Sequence, residues 1–204
     1  MSTPFSFESR HRYEVAERGI AALLGTVDSL VTVPNNRLLE LDNRNIGIDE
    51  AFKISERLLE QGIHAIAEVL NTPGVINLDF ADIKAILKNS GSAIMSIGTG
   101  RGPNRAVEAA RSALNNPLPG IPIAGATGIL FKVVGSDSLT IHEVKDAAEF
   151  IRQVAAPEAN IIFGVALDPA IDANEIRITL IATGFTRCNQ EAAPDEKTPD
   201  TSVE

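Results

Sequence analysis

The chain is poor in aromatic residues. It has no Trp, one Tyr and eight Phe in 204 positions, so its core has to be built mainly from aliphatic side chains. One cysteine, Cys188, excludes an internal disulfide and a cysteine metal cluster, and it reads as an inert thiol near a flexible end. The three histidines, His11, His64 and His142, lie far apart, each on an expected helix and none with a partner at metal-ligand spacing, so no metal site is expected. No apolar run reaches the roughly 18 residues that span a bilayer. The start, Met1-Ser-Thr-Pro-Phe-Ser-Phe-Glu8, has no basic-then-apolar leader, which makes the cytoplasm the expected location. Positive charge is in deficit: 18 Lys and Arg against 27 Asp and Glu leave a net charge of −9. Nucleic acid and anionic membrane surfaces would repel such a chain, and neither is expected as a direct partner.

What is present is ordinary for a globular protein, with 44% apolar and 22% charged residues, and the length suits one large domain or two small ones. Residues 8–24 read as an amphipathic helix with Tyr13, Ala16, Ile20, Leu23 and Leu24 on one stripe, stopped by Gly25. Ser29–Val33 reads as a buried strand that enters a loop at Pro34-Asn-Asn36. A long helix is expected from Asp49 to Leu70, with Leu59, Ile63, Ile66 and Leu70 on one stripe, ending at Asn71-Thr-Pro-Gly74. A loop and a short helix follow, over 75–80 and 81–89, then a strand over 92–97.

Gly98-Thr-Gly-Arg-Gly-Pro103 reads as a turn-rich break, after which Asn104 is placed to cap a helix carrying Val107, Ala110 and Leu114. Three prolines make 115–122 a loop. Strands are expected over 128–134, 160–166 and 175–182, and Thr140-Ile-His-Glu143 has the pattern of a capping box opening a helix. The alternation predicts an α/β or α+β fold. From about Thr186 the chain loses all periodicity, and residues 186–204 are expected to be a disordered acidic tail. A boundary is expected near Asn71–Val75; the helix–strand–helix part before it is too small to bury its own apolar faces well, and the part after it reads as a complete domain.

The strongest local signal is Asn77-Leu-Asp-Phe-Ala-Asp82, which sets two carboxylates at a loop-to-helix junction. Two readings are open. Asp79 and Asp82 cap the helix, satisfying its free N–H groups and meeting the positive end of its dipole. Alternatively they hold a water or a metal for attack on a phosphoryl group, chemistry that depends mostly on positioning and charge. Spacing does not separate the two. The glycine-rich segment 98–102 lacks the G-x-x-x-x-G-K-[ST] pattern of a phosphate loop, and Pro103 removes an N–H donor. Glu8 and Arg12 have the spacing of a surface ion pair, and Asn35 that of a turn residue at a strand end.

The order of motifs carries more. Pro4-Phe-Ser-Phe-Glu8, Val27–Leu39, Gly74-Val-Ile-Asn-Leu-Asp-Phe-Ala-Asp-Ile-Lys84, Gly91-Ser-Ala-Ile-Met95, Asn104–Ala110, Ala159–Gly164 and Ile178–Phe185 resemble consecutive segments of FtsZ, the tubulin-like bacterial cell-division GTPase family. The resemblance runs from Pro4 to Phe185 and implies the end of a Rossmann-like GTPase domain (1–48), a long central helix (49–74) and an α+β C-terminal domain with a mixed four-stranded sheet (75–185). It implies that Asp79, Asp82 and Asn77 form the loop one subunit inserts into its neighbour's nucleotide site, the aspartates activating water and Asn77 contacting the phosphates. By the same resemblance Glu8 and Arg12 contact ribose and nucleotide, Asn35 lies near the ribose and base, Phe52 lies beside the guanine, and Glu56 stands where the family usually has Asp to read the guanine edge. Ser9 and Asn36 stand where Gly and an acidic residue are usual.

The implied ligand is GTP or GDP with Mg²⁺ in the complete protein. The implied partners are further copies, joined head to tail in filaments, and other division proteins. The implied location is the cytoplasm at the division site. The family's phosphate loop, G-G-G-T-G-[ST]-G, and its short C-terminal partner-binding peptide do not occur in this sequence. The isolated chain is therefore expected not to hold GTP tightly or turn it over. An alternative is a non-enzymatic module that caps filaments.

Overall fold

The computed structural model describes residues 2–5, 7–36, 74–115 and 125–185, with the single positions Gly47, Lys53, Glu56, Glu60, Ile63, Ala67 and Ile123. The elements in chain order are β1 (Ser2–Thr3), α1 (Arg10–Leu24), β2 (Ser29–Val31), β3 (Val33–Pro34), α2 (Phe80–Leu87), β4 (Gly91–Arg101), α3 (Arg105–Leu114), β5 (Gly128–Gly135), α4 (Ile141–Val154), β6 (Asn160–Leu167) and β7 (Glu175–Thr183). Lys53, Glu56, Glu60, Ile63 and Ala67 are helical. The remainder of the expected 49–70 helix, with Phe52, and the tail from 186 lie outside the described residues.

The sheet is mixed, in the order β2-β4-β7-β5-β6. β4 and β5 each run antiparallel to β7, while β5 and β6 are parallel. The four strands expected in the C-terminal domain are all there. A fifth, β2, extends the sheet because Ser29–Val31 pairs in parallel with Gly91–Ala93 on the β4 edge. Asp28 reinforces that junction: its carbonyl accepts from Gly91 N at 3.0 Å and its carboxylate from Asn89 N at 3.2 Å. Two residues further on, Val33–Pro34 pairs instead with Ser2–Thr3 in a separate two-stranded sheet.

The two faces of the sheet are covered unequally. On one face lies the main core, where Ile129, Phe131, Val133, Ile176, Ile178 and Leu180 meet α3 and α4. On the other, α2 lays Ile83 and Ile86 over Leu130 and Ile181.

The segment 98–101 is strand, not the expected turn. A Cβ on Gly98 would collide with the α3 backbone at Ala109 and Ala113, and one on Gly100 with Arg105 and Ala109. These glycines exist because the helix lies directly on the strand, its contact ridge made of the fully buried Ala109, Ala110 and Ala113. Ser96, on the same strand face, donates its hydroxyl to Ala113 O at 2.5 Å. Asn104 precedes α3 but makes no side-chain cap.

The α1 helix is capped by Ser9, whose hydroxyl accepts from Arg12 N, and it has no buried side chain. Tyr13 and Leu23 of its apolar stripe are exposed, while Ala16 and Ile20 are half-buried.

Candidate functional site

Residues 74–79 form a loop pinned to the outer edge of β6. Ile76 and Val165 exchange backbone hydrogen bonds of 3.1 and 2.9 Å, an isolated antiparallel bridge. Leu78 is buried over Gly164, where a Cβ would stand 2.8 Å from its Cγ. A Cβ on Gly74 would collide with the Val165 carbonyl, so both glycines are demanded by close approach. Asn77 Oδ1 accepts from Gly74 N at 2.6 Å, closing the turn and leaving the amide NH₂ of Asn77 directed away from it.

The loop delivers the chain into α2 through a reciprocal box. Asp79 is the N-cap and accepts from Asp82 N at 2.8 Å, while Asp82 accepts from Asp79 N at 3.1 Å. Capping is therefore real, but it engages one oxygen of each carboxylate. The second oxygen of each makes no hydrogen bond among the described residues. Asp79 is exposed and Asp82 half-buried, so the pair is reachable from solvent. The positive end of α2 supports both charges, and the docking of Ile83 and Ile86 fixes where the helix begins. Among the described residues no three His, Cys, Asp or Glu side chains are grouped as a metal site. What the pair offers is two unused hydrogen-bond acceptors on side chains held three residues apart at the helix start.

The remaining candidates form a second group. Glu8 accepts from Phe5 N at 2.9 Å and from Arg12 Nη1 at 2.6 Å, and these donors, the Phe5 backbone first, lower its carboxyl from the ordinary value. Asn35 is buried just beyond β3, brought near the chain start by the β1–β3 pairing. Glu56 is helical and exposed. Phe52 is outside the described residues. Glu8 and Arg12 make no hydrogen bond or ion pair to Asn77, Asp79 or Asp82, so the candidates divide into two separate sets.

Residues 91–186 match the FtsZ family, C-terminal domain. The chain carries the C-terminal domain of the FtsZ family. An empty FtsZ dimer from M. jannaschii matches with a TM-score of 0.81 at 35% identity, over 90% of this chain and 53% of that one. A mutant form of the same FtsZ gives 0.81 at 36% identity, over 90% of this chain and 55% of that one. GDP-bound monomeric CetZ1 from Haloferax volcanii gives 0.71 at 16% identity, over 91% of this chain and 54% of that one, a likeness of fold alone. The chain thus spans about half the length of these relatives. The FtsZ matches cover 90% of this chain, more than residues 91–186 alone.

What the sequence reading missed is how the loop is held. Gly164, inside an otherwise β-branched and apolar strand, was the available signal of a close approach. Nothing in the order of residues named Leu78 or Ile76 as what approaches.

Proposed function

We propose that this chain supplies, to an adjacent FtsZ-family subunit, the loop that positions the water attacking that subunit's GTP. The observation that carries the reading is the half-used capping box: one oxygen of Asp79 and one of Asp82 fix the loop, and the other two make no hydrogen bond among the described residues. A water donating to those oxygens is held and polarised for in-line attack on the γ-phosphorus, in a reaction where positioning and charge supply most of the catalysis. The outward NH₂ of Asn77 is suited to donate to a phosphate oxygen. Mg²⁺ belongs with the neighbour's nucleotide in this scheme and neutralises charge on its phosphates.

The second set serves the chain's own nucleotide: Glu8 and Arg12 toward the ribose and phosphates, Asn35 toward the ribose and base, Phe52 and Glu56 toward the guanine. Subunits then associate head to tail, a reading supported by the dimeric state of the M. jannaschii FtsZ. Cell division, recruitment of other division proteins and a cytoplasmic location at the division site follow as part of the same proposal.

The test is phosphate release from GTP by M. jannaschii FtsZ with and without added chain. The wild-type chain stimulates release, and Asp82→Asn loses about 10²-fold or more of that stimulation, the range for a residue that handles the reacting proton or water. Equal stimulation by the variant defeats the proposal. A second reading, a non-enzymatic module that caps filaments, draws on the chain spanning half of its relatives. It is favoured if pelleted polymer falls while turnover per pelleted subunit stays constant.

A further inference from the structure

Two of the most exposed apolar side chains in the described structure share a segment with the carboxylates, Val75 four residues before Asp79 and Phe80 between Asp79 and Asp82. Val75 is 70% exposed and Phe80 is 69% exposed. Neither is needed by the fold around it. The apolar residues of this segment that serve the core are Leu78, Ile83 and Ile86, which are buried beneath the loop and helix. Val75 sits in a bend before the β6 bridge, and Phe80 occupies the first position of α2, where a polar residue would serve the helix as well. The backbone that carries them is held by the Ile76–Val165 bridge on one side and the aspartate box on the other. Two large apolar groups are thus presented on the same fixed backbone as a charged pair, in a chain of net charge −9.

We propose that Val75 and Phe80 are the apolar anchors that seat this loop in a neighbouring FtsZ-family subunit, carrying Asp79 and Asp82 in with them. This rests on the reading that the aspartates serve the neighbour's nucleotide. It adds the force that brings them there. Carboxylates resist leaving water, and charge repulsion between acidic copies opposes contact. Burial of Val and Phe side chains supplies a favourable term that needs no counter-charge, and exposed aromatics of this kind act as anchors when they fill a partner's pocket. The division of labour is then physical: the apolar pair sets how tightly the loop docks, and the aspartates set what happens once it has docked.

The experiment titrates the 204-residue chain into GTP-loaded M. jannaschii FtsZ and follows phosphate release against chain concentration. It is run with wild type, Val75→Ser, Phe80→Ser, Asp82→Asn and, as an exposed apolar control elsewhere, Ile141→Ser (70% exposed on α4). Phe80→Ser is expected to raise the half-saturating concentration about 10- to 30-fold, and Val75→Ser about 3- to 10-fold, both reaching a plateau within 3-fold of wild type. Ile141→Ser leaves the curve in place. The inference is overturned if neither loop variant shifts the half-saturation point, or if Ile141→Ser shifts it as far. Asp82→Asn tests the underlying reading separately, through the plateau. A normal plateau there with shifted curves for Val75 and Phe80 keeps the anchors and removes the catalytic role. A lost plateau with unshifted loop variants does the reverse. No stimulation by the wild-type chain defeats both.

Discussion

At the start of α4, Thr140 accepts from Glu143 N at 3.3 Å and Glu143 accepts from Thr140 N at 2.9 Å. At the start of α2, Asp79 and Asp82 make the same reciprocal pair of bonds. The local geometry is shared, and what surrounds it is not. Glu143 is taken up completely: Arg105, only 8% exposed, donates to both its oxygens at 2.6 and 3.2 Å, and the Thr140 hydroxyl donates at 2.9 Å. The same guanidinium binds the Ser138 carbonyl at 3.2 Å and the Ala173 carbonyl, tying the start of α3 to the loops before α4 and β7. The α2 box has no such cation among the described residues, and one oxygen of each carboxylate is left without a hydrogen bond there. A carboxylate consumed by its own fold is structural. One that the fold positions and leaves half-used is available to another molecule.

The largest way to break the first half of that contrast is Arg105→Ala. It strands the Glu143 carboxylate in a half-buried site and removes the donors to two loop carbonyls. Losing one partner of such a pair costs about 3–5 kcal/mol. Urea unfolding followed by circular dichroism reads this directly, and a loss below about 1 kcal/mol would show that the network is ornamental.

Acid offers a second, somewhat smaller probe. Hydrogen bonds from Arg105, then those from Thr140, lower the Glu143 carboxyl from 4.5 to about 2. A carboxylate whose folded pKa lies below its unfolded value stabilises the fold fully above the unfolded value. That contribution disappears as pH falls through the folded one. The window is therefore pH 4.5 down to about 2, and the contribution is on the order of 3 kcal/mol. The Arg105→Ala protein should lack this part of the acid dependence. Parallel stability profiles for the two proteins between pH 5 and 2 would refute the assignment.

The contrast also marks what a reader of the sequence can and cannot see. The α4 box was legible, because a cap and its partner three residues on are a local pattern, and the α2 aspartates were legible as one of two open readings, caps, though not as a reciprocal box. So were β5, β6 and β7, whose β-branched runs match their observed spans within a residue or two. The glycines at 98 and 100 misled, since in one dimension a glycine cluster reads as a turn. Only the folded chain shows α3 lying on β4 so closely that no side chain fits between them. The expected cap at Asn104 failed for a related reason: the start of α3 is held through Arg105 reaching across to α4, a contact 38 residues away in sequence. The pairing of β2 with β4 is equally non-local. At the candidate site, Asp79 and Asp82 were visible from spacing and resemblance. Which of the two boxes would be consumed was not, because that depends on a cation brought in by tertiary structure.

The smallest stability effect is the one that separates capping from function most cleanly. Asn is as good an N-cap as Asp, because its side-chain oxygen accepts the same backbone N–H. Asp79→Asn should therefore leave urea stability within about 0.5 kcal/mol of wild type. Asp79→Ala, which removes the cap, should cost about 1 kcal/mol. If capping were the whole purpose of Asp79, the Asn variant would also stimulate GTP hydrolysis as wild type does. If the outward oxygen matters as a charged acceptor, the Asn variant folds normally and stimulates poorly. It still accepts a hydrogen bond at one atom, but it has replaced the second acceptor with a donor and removed the charge. Two nearly equal unfolding curves with widely separated activities would place the value of Asp79 outside its own helix. Two equal activities would return it to the class of Glu143, a carboxylate used up by its fold.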